Sequence, residues 1–173
     1  MGPDRQWSSG GESGTIGSMD NPALIDQYAA GPAEVRAALD GITRTELDTR
    51  PAAGAWTARE IVHHLADSET NSYVRLRRML VDDGTDIQVY DQERWAAEPR
   101  LGYDGPIELP LAVLEAVRAS SAALLRRLHD ADFARTGHHV EHDTYSVQLW
   151  LEIYADHAHD HADQIRRARR GEA

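Results

Sequence analysis

Two histidines near the C-terminal end stand where a helix would carry both imidazoles into a protein core. His157 and His161 are four residues apart, so on a helix they lie one above the other on the same face. Buried imidazoles need partners, and one divalent ion can serve both. The helical stripe that contains them has 3-4-3-4 spacing and also includes Val147, Trp150, Tyr154, Gln164 and Ala168.

A third imidazole, that of His64, belongs to a separate helix. Thr57 followed three residues later by Glu60 is a capping box ahead of an apolar run, which predicts the start of a helix. On that helix His64 falls on the core face, whereas His63 points about 100° away. We therefore predict that His64 faces the other two imidazoles from a neighbouring helix.

Three histidine ligands would leave coordination positions open for water or substrate, which is the pattern of a catalytic metal site. The alternative interpretation is a set of core histidines satisfied by hydrogen bonds or by the carboxylates of Asp67 and Asp160. A pair on one helix together with a third on another core face favours the metal. A structural metal site would instead need a fourth protein ligand.

Two carboxylates close to His64 are candidates for the chemistry. Asp67 can act as an outer acceptor that orients an imidazole, and Glu69 can act as a proton acceptor at the rim of the site. The alternative for both is an ordinary charge that faces solvent. Tyr90 and Trp95 either wall a pocket beside the site or anchor the connection in which they lie.

The remaining histidines are weaker candidates. His159 lies about 200° round the helix from His157, so we expect it to face solvent or a neighbouring element. The three histidines of the polar stretch 135–145 lack a rigid scaffold, and we interpret them as solvated surface. They are His138, His139 and His142. Because Ala158 follows His157, the run also lacks the glutamate that serves as base in zinc metalloproteases.

Four long amphipathic segments must position these residues, at about 21–39, 57–82, 109–128 and 146–169. Gly31-Pro32 predicts a break or kink in the first segment. The connection 85–106 has no sustained period beyond a helical turn predicted at 90–95, and 135–145 predicts a small hairpin or loop. We expect an all-α fold, an antiparallel four-helix bundle with a long crossover connection.

The composition limits the partners. The chain has 173 residues, 29 acidic and 18 basic, with a net charge of −11, which disfavours nucleic acid and anionic membranes. Cysteine is absent, so thiol chemistry would need a thiol from a co-substrate, and a cytoplasmic protein is the simplest interpretation. Residues 1–18, rich in Gly and Ser, predict a flexible tail or a cloning remnant, and 19–173 the folded domain.

Three motifs in this order resemble the DinB/YfiT-like metalloprotein superfamily. In particular they resemble its YfiT branch, whose members are assigned as metal-dependent hydrolases and include bacillithiol S-transferases. The resemblance covers about 20–169, nearly the whole expected domain. The motifs are Trp56-Thr57-x-x-Glu60-Ile61-Val62-His63-His64-Leu65-Ala66-Asp67-Ser68-Glu69, Tyr90 to Trp95-Ala96, and Tyr154-Ala155-x-His157-x-x-x-His161.

The resemblance implies a four-helix bundle that holds a divalent metal, nickel or zinc, on three histidines. Carried over position by position, the ligands are His64, His157 and His161, the same three that helical periodicity selects. Several members carry histidine where this chain has Glu69, so proton transfer by a histidine is not expected there, although glutamate can serve as acid or base. The resemblance also implies a homodimer.

An open three-histidine centre supports two related reactions. It can lower the pKa of a low-molecular-weight thiol and present the thiolate to a small-molecule electrophile, or it can activate water for hydrolysis. The leading hypothesis is an S-transferase that uses a bacillithiol- or mycothiol-like thiol. The alternatives are a metal-dependent hydrolase and a non-catalytic, stress-related bundle that binds metal.

Overall fold

The structure is a computed structural model that describes residues 21–140 and 142–173, with the side chains of 142–144 left aside. The expected tail at 1–18 lies outside the described residues. Within these ranges no helix is long and apolar enough to cross a membrane. The elements in chain order are α1 Asn21–Leu39, α2 Arg44–Leu47, α3 Ala58–Val81, β1 Thr85–Asp86, α4 Gln92–Ala96, a 3₁₀ turn Pro99–Leu101, α5 Glu108–Leu125, α6 Asp130–Phe133, β2 Thr136–His139, β3 His142–Ser146 and α7 Val147–Ala168.

The four long helices α1, α3, α5 and α7 form the bundle. Helix α7 runs antiparallel to α3, because His161 faces His64 while the earlier Tyr154 contacts Arg75 farther along α3. Helices α1 and α5 are also antiparallel, and their ion pairs Asp26–Arg126 and Arg36–Glu115 join opposite ends. The predicted four-helix bundle is confirmed.

The predicted long crossover makes two pairs of helices parallel. Helix α3 runs parallel to α5, since Glu69 bonds Arg118 and Arg77 bonds Ser120 farther along both helices. Helices α1 and α7 are also parallel, because Gln27 contacts Asp156 and the later Glu34 contacts the later Arg166. The connection from α3 to α5 therefore returns the chain to the end of the bundle where α3 began.

Local signals set the ends of the two helices that carry the histidines. The capping box of α3 is present as predicted, with the Thr57 side chain accepting from the Glu60 amide and the Glu60 side chain from the Thr57 amide. Helix α3 ends at Val81 before Gly84, whose φ is 79°. Ser146 caps α7 by accepting from the Leu149 amide. Caps of this kind contribute about 1 kcal/mol each.

The predicted break at Gly31-Pro32 is wrong, because α1 is one helix from Asn21 to Leu39 with Pro32 inside it. Proline has no N–H to offer the carbonyl of Tyr28, four residues earlier. A guanidinium N–H of Arg118 donates to that carbonyl instead, at 2.6 Å. A partner from another helix thus satisfies the group that proline leaves without a donor.

The connections contain more structure than the sequence indicated. The predicted helical turn is α4, and the predicted hairpin is β2 and β3, which pair antiparallel while β1 pairs parallel with β2. Helices α2 and α6 were not predicted. The first begins at a capping box of its own, formed by Thr43 and Glu46.

The core of the bundle consists of two apolar clusters separated by a polar layer. One cluster surrounds Trp150, and the other contains Ile61 and Ile165. All four long helices change from one cluster to the other at the same height. The residues between the clusters are Gly31 on α1, Glu69 and Ser72 on α3, Arg118 and Ser121 on α5, and His157 on α7.

Candidate metal centre

The three predicted histidines converge between α3 and α7. The ring centroid of His64 is 4.9 Å from that of His161 and 5.7 Å from that of His157, and the two rings on α7 are 4.6 Å apart. One nitrogen from each ring lies within 4.8 Å of the other two. A single ion can therefore be held by all three rings, as predicted.

An unsatisfied ring nitrogen supports the fit of the three histidines to a metal ion. The Nδ1 atom of His64 is buried and has no hydrogen-bond partner among the described residues. Such orphan nitrogens are costly unless something unseen satisfies them. The carboxylates of Asp67 and Asp160, the alternative partners, form no hydrogen bond with this nitrogen, and Asp160 is exposed. Imidazole nitrogens suit both zinc and nickel.

The surroundings keep the imidazoles of His64 and His161 neutral, which is the form that binds metal. Burial lowers the pKa of His64 well below its ordinary value, and the neighbouring histidines lower it further. Burial and the nearby His157 lower the pKa of His161 to about 3. At neutral pH both rings have a lone pair available.

Neighbouring side chains orient the rings. The Nδ1 atom of His161 lies 2.7 Å from Oε1 of Gln164, so it carries the proton and leaves Nε2 for an ion. Trp56 packs on His64 with ring centroids 4.6 Å apart, and Tyr154 packs edge-on against His157 at 5.4 Å. The side chain of His157 is 20% exposed, so this ring connects the site to solvent.

Glu69 does not lie at the rim of the site, and the prediction of that position is wrong. Its side chain is 0% exposed and forms an ion pair at 2.6 Å with Arg118, which is equally buried. Burial alone would raise the pKa of Glu69, but the interactions with Arg118 and His157 together outweigh burial and hold that pKa below its ordinary value. Glu69 is therefore an internal carboxylate, and its predicted role as a proton acceptor stays a prediction.

Asp67 lies on the outer side of α3, partly buried. Its carboxylate accepts a hydrogen bond of 2.8 Å from the hydroxyl of Tyr103. Burial raises the pKa of Asp67, and the Tyr103 hydroxyl offsets part of that rise. The same tyrosine stacks on His63, which lies outside the three-histidine set, with ring centroids 5.4 Å apart. The predicted action of Asp67 on an imidazole stays a prediction.

A cavity of about 210 Å³ opens beside Asp67 along the outer face of α3. Trp95 lines it, and Tyr90 packs on Trp95 with ring centroids 4.7 Å apart. Trp95 thus walls a recess on the outer face of α3, and the predicted position of this aromatic pair beside the histidine site stays a prediction. The other lining residues are Thr70, Asn71, Val74, Arg75, Arg78, Asp86, Ile87 and Gln88.

His159 lies where its spacing predicted. The Nε2 atom of His159 is 3.0 Å from the carbonyl oxygen of Gln27 on α1, so this ring contacts a neighbouring helix. His138 and His139 belong to the hairpin. Within the described ranges, the one group of three metal-binding side chains is the set on α3 and α7.

Comparison with known proteins agrees with this architecture. A sequence model of the DinB superfamily matches residues 27–165. The chain belongs to the DinB superfamily.

Two bacterial relatives carry names that refer to a metal. A "putative metal-dependent hydrolase" of Oceanobacillus iheyensis is 36% identical over 124 residues, which are 72% of this chain and 71% of the relative. The "putative metal-dependent hydrolase YfiT" of Bacillus subtilis is 34% identical over 135 residues, 78% of this chain and 75% of YfiT. The resemblance to the YfiT branch is thereby confirmed.

A solved structure of YfiT from Bacillus subtilis, described as "a probable metal-dependent hydrolase with an unusual four-helix bundle topology", superposes with a TM-score of 0.83. The sequences are 30% identical, and the match covers 94% of both chains. This DinB protein therefore shares the four-helix bundle fold of YfiT over 94% of its length.

Sequence reasoning missed Arg118, the central residue of the polar layer in this DinB bundle. A signal was present, because Arg118 continues the stripe of Leu111 and Leu114 at helical spacing on α5. An arginine on a core stripe requires a buried anion. Glu69 is that anion.

Proposed function

We propose that this DinB protein is a metal-dependent S-transferase that joins a low-molecular-weight thiol to a small electrophile. The ion, zinc or nickel, would be held by His64, His157 and His161. The observation that best supports the proposal is the convergence of three imidazoles with no fourth protein ligand among the described residues. Coordination positions are then left for a substrate.

The three histidines would supply the site with neutral nitrogen ligands, and the apolar clusters on either side would keep bulk water away. A divalent ion in this position is a Lewis acid that lowers the pKa of a bound thiol or water. Within the chain, Gln164 orients His161 by accepting its Nδ1 proton. The partly exposed side of His157 provides the approach for substrate.

The state of the nearby carboxylates favours a thiol over water as the nucleophile. Glu69 is locked in an ion pair with Arg118, and Asp67 accepts from Tyr103. A thiol has an ordinary pKa of about 8.5 and loses its proton outright on a metal, so it needs no protein base. Since the chain contains no cysteine, the thiol must come from a second substrate.

Hydrolysis is the second candidate function. The names of the two relatives favour it, and Asp67 is the carboxylate of the site with the raised pKa. Raised carboxyl pKa values suit general bases that work near neutral pH. In this case the same three histidines would hold an ion that activates water.

A single experiment separates the candidates. Protein loaded with zinc or with nickel is incubated with a fluorogenic electrophile and with bacillithiol, mycothiol, glutathione or no thiol, and in parallel with a panel of esters and amides. We expect thioether formation that requires both thiol and metal. His157→Ala should abolish it, whereas His159→Ala, the matched control on the same helix, should retain it.

Other results would contradict the S-transferase. Metal-dependent hydrolysis without any thiol dependence would establish the hydrolase instead. Tight zinc binding by the three histidines with neither reaction would favour the non-catalytic bundle.

A further inference from the structure

We propose that Glu69 and Arg118 are positioning residues, which hold the ring of His157 so that its Nε2 atom faces the metal. The proposal rests on the metal centre of the proposed function and not on which reaction occurs there. The competing interpretation is that the ion pair of Glu69 and Arg118 only stabilises the core.

The decisive contact joins Glu69 to His157. Oε1 of Glu69 lies 3.8 Å from Nδ1 of His157, and that nitrogen is buried without a hydrogen-bond partner. The distance exceeds a hydrogen bond, and a ring shift of about 1 Å would close it. A carboxylate in this position favours the tautomer with the proton on Nδ1, which leaves the lone pair on Nε2. Carboxylate–histidine–metal arrangements of this kind orient ligands in many metal sites.

The carboxylate of Glu69 is fixed on both oxygens. Nε and Nη2 of Arg118 donate to Oε1 at 2.9 and 2.6 Å. The hydroxyls of Tyr28 and Ser72 donate to Oε2 at 3.2 and 3.4 Å. With both oxygens bonded, Oε1 cannot rotate away from His157 without breaking several hydrogen bonds.

Arg118 is itself anchored to two backbone carbonyls on other helices. Nη1 donates to the Tyr28 carbonyl at 2.6 Å, the group that Pro32 leaves without its helical donor. Nη2 donates to the carbonyl of Tyr154, one turn before His157 on α7, at 2.8 Å. One guanidinium therefore ties α1, α3 and α7 together at the height of the metal centre.

Gly31 provides the space for this guanidinium. A Cβ atom at this position would collide with Arg118 and would lie 2.7 Å from Cβ of Ala158. The Gly31-Pro32 pair thus does two things for Arg118, since glycine leaves room for it and proline frees an acceptor. A series of contacts thus leads from Pro32 through Arg118 and Glu69 to the proposed metal ligand His157.

A purely structural ion pair makes different predictions from a positioning pair. Replacing both members of a buried pair by apolar residues of similar size is often neutral or stabilising. Glu69→Met combined with Arg118→Met removes both buried charges and the acceptor for His157. It also leaves the carbonyls of Tyr28 and Tyr154 without their donor, so urea denaturation checks that this variant is folded. Glu69→Gln removes the charge alone. Glu115→Gln, which alters the exposed pair with Arg36, is the matched control.

Two readouts are measured on the full chain. The dissociation constant for zinc is obtained by competition with a chromophoric chelator, and the tautomer of His157 is obtained from ¹⁵N NMR shifts of the metal-free protein. We expect 10–100-fold weaker zinc binding in the double variant and loss of the Nδ1-protonated tautomer. Glu69→Gln should weaken binding less, and Glu115→Gln should match the wild type.

A folded double variant with wild-type zinc affinity and an unchanged tautomer would overturn the proposal. If wild-type protein failed to bind zinc at the three histidines, the metal centre and the proposed function would fall. The tautomer of His157 in the metal-free protein would still decide whether Glu69 orients the ring. If Glu69→Gln fails to fold, the double variant carries the test alone.

Discussion

Oε1 of Gln164 accepts the Nδ1 proton of His161 at 2.7 Å, one turn after the ring itself. This hydrogen bond fixes the tautomer that leaves Nε2 for an ion. We expect Gln164→Leu to weaken zinc binding 10–100-fold, because the ring loses its orienting partner. The free energy of unfolding should change by less than about 1.5 kcal/mol, the net value of one hydrogen bond. A chelator competition assay and urea denaturation measure the two effects.

The neighbouring Asp163→Asn is the control for that variant, since Asp163 is exposed and bonds Arg166. It should bind zinc like the wild type. If Gln164→Leu also bound zinc with wild-type affinity, the hydrogen bond would have no role in metal binding.

The three ligands and their neighbour on α7 should differ sharply on substitution. His64→Ala, His157→Ala and His161→Ala should each abolish stoichiometric zinc, because two imidazoles hold the ion much more weakly than three. His159→Ala should keep one zinc per chain, since that ring contacts α1. Elemental analysis of protein purified without an affinity tag measures the content. Full zinc in His157→Ala would refute the ligand assignment.

Much of the metal site could be predicted because helical geometry converts sequence spacing into direction. Positions 157 and 161 lie on one face and 159 does not, and the structure places these rings accordingly. The capping box of Thr57 and Glu60 fixed the start of α3 and with it the orientation of His64. These signals are local, so a single sequence carries them.

The polar layer could not be predicted in the same way, because its partners are far apart in sequence. The sequence predicts Glu69 at the rim of the site, and only the fold shows that Arg118 lies against it. The prediction of a break at Gly31-Pro32 is wrong for the same reason, because the donor that replaces the proline N–H is Arg118, far away in sequence. The rule for proline assumes that no other donor reaches the freed carbonyl.

Acid should destabilise the metal-free protein. The pKa of His161 is lowered to about 3 by burial and by His157, and that of His64 is also well below its ordinary value. An unfolded histidine titrates near 6.5. Between about pH 6.5 and 3 the unfolded chain binds protons that the folded chain does not, so the unfolding free energy falls as the pH falls.

Thermal unfolding between pH 7 and pH 5 measures this effect. The melting temperature of the metal-free protein should decrease over that range, and His161→Gln should flatten the decrease. Bound zinc should shift the decrease to lower pH, because the ion competes with protons for the same nitrogens. An equal slope in His161→Gln would mean that other groups cause the acid sensitivity.

Gly31→Ala should destabilise the bundle although alanine is the better helix former. Helix propensity alone would stabilise by about 1 kcal/mol. The added Cβ would lie 2.7 Å from that of Ala158 and collide with Arg118, and overpacking of this kind costs about 1–3 kcal/mol. Urea denaturation measures the sum, with the exposed Ala30→Gly as the control for propensity. A more stable Gly31→Ala protein would show that the guanidinium can move at no cost.

Tyr103 and Asp67 provide a test of whether Asp67 acts as the general base of the hydrolase alternative. Burial raises the pKa of Asp67, and the donated hydrogen bond from Tyr103 lowers it again in part. Tyr103→Phe removes that donor, so the pKa of Asp67 should rise further. If the ionised carboxylate accepts a proton during catalysis, the acid limb of kcat/KM should then move to higher pH.

Asp67→Asn should lower the rate about 100-fold or more. Tyr73→Phe, whose ring lies under Arg77, should leave the profile unchanged. An unshifted acid limb in Tyr103→Phe, together with a fully active Asp67→Asn, would restrict Asp67 to a structural role, because neither its charge nor its pKa would then affect the reaction.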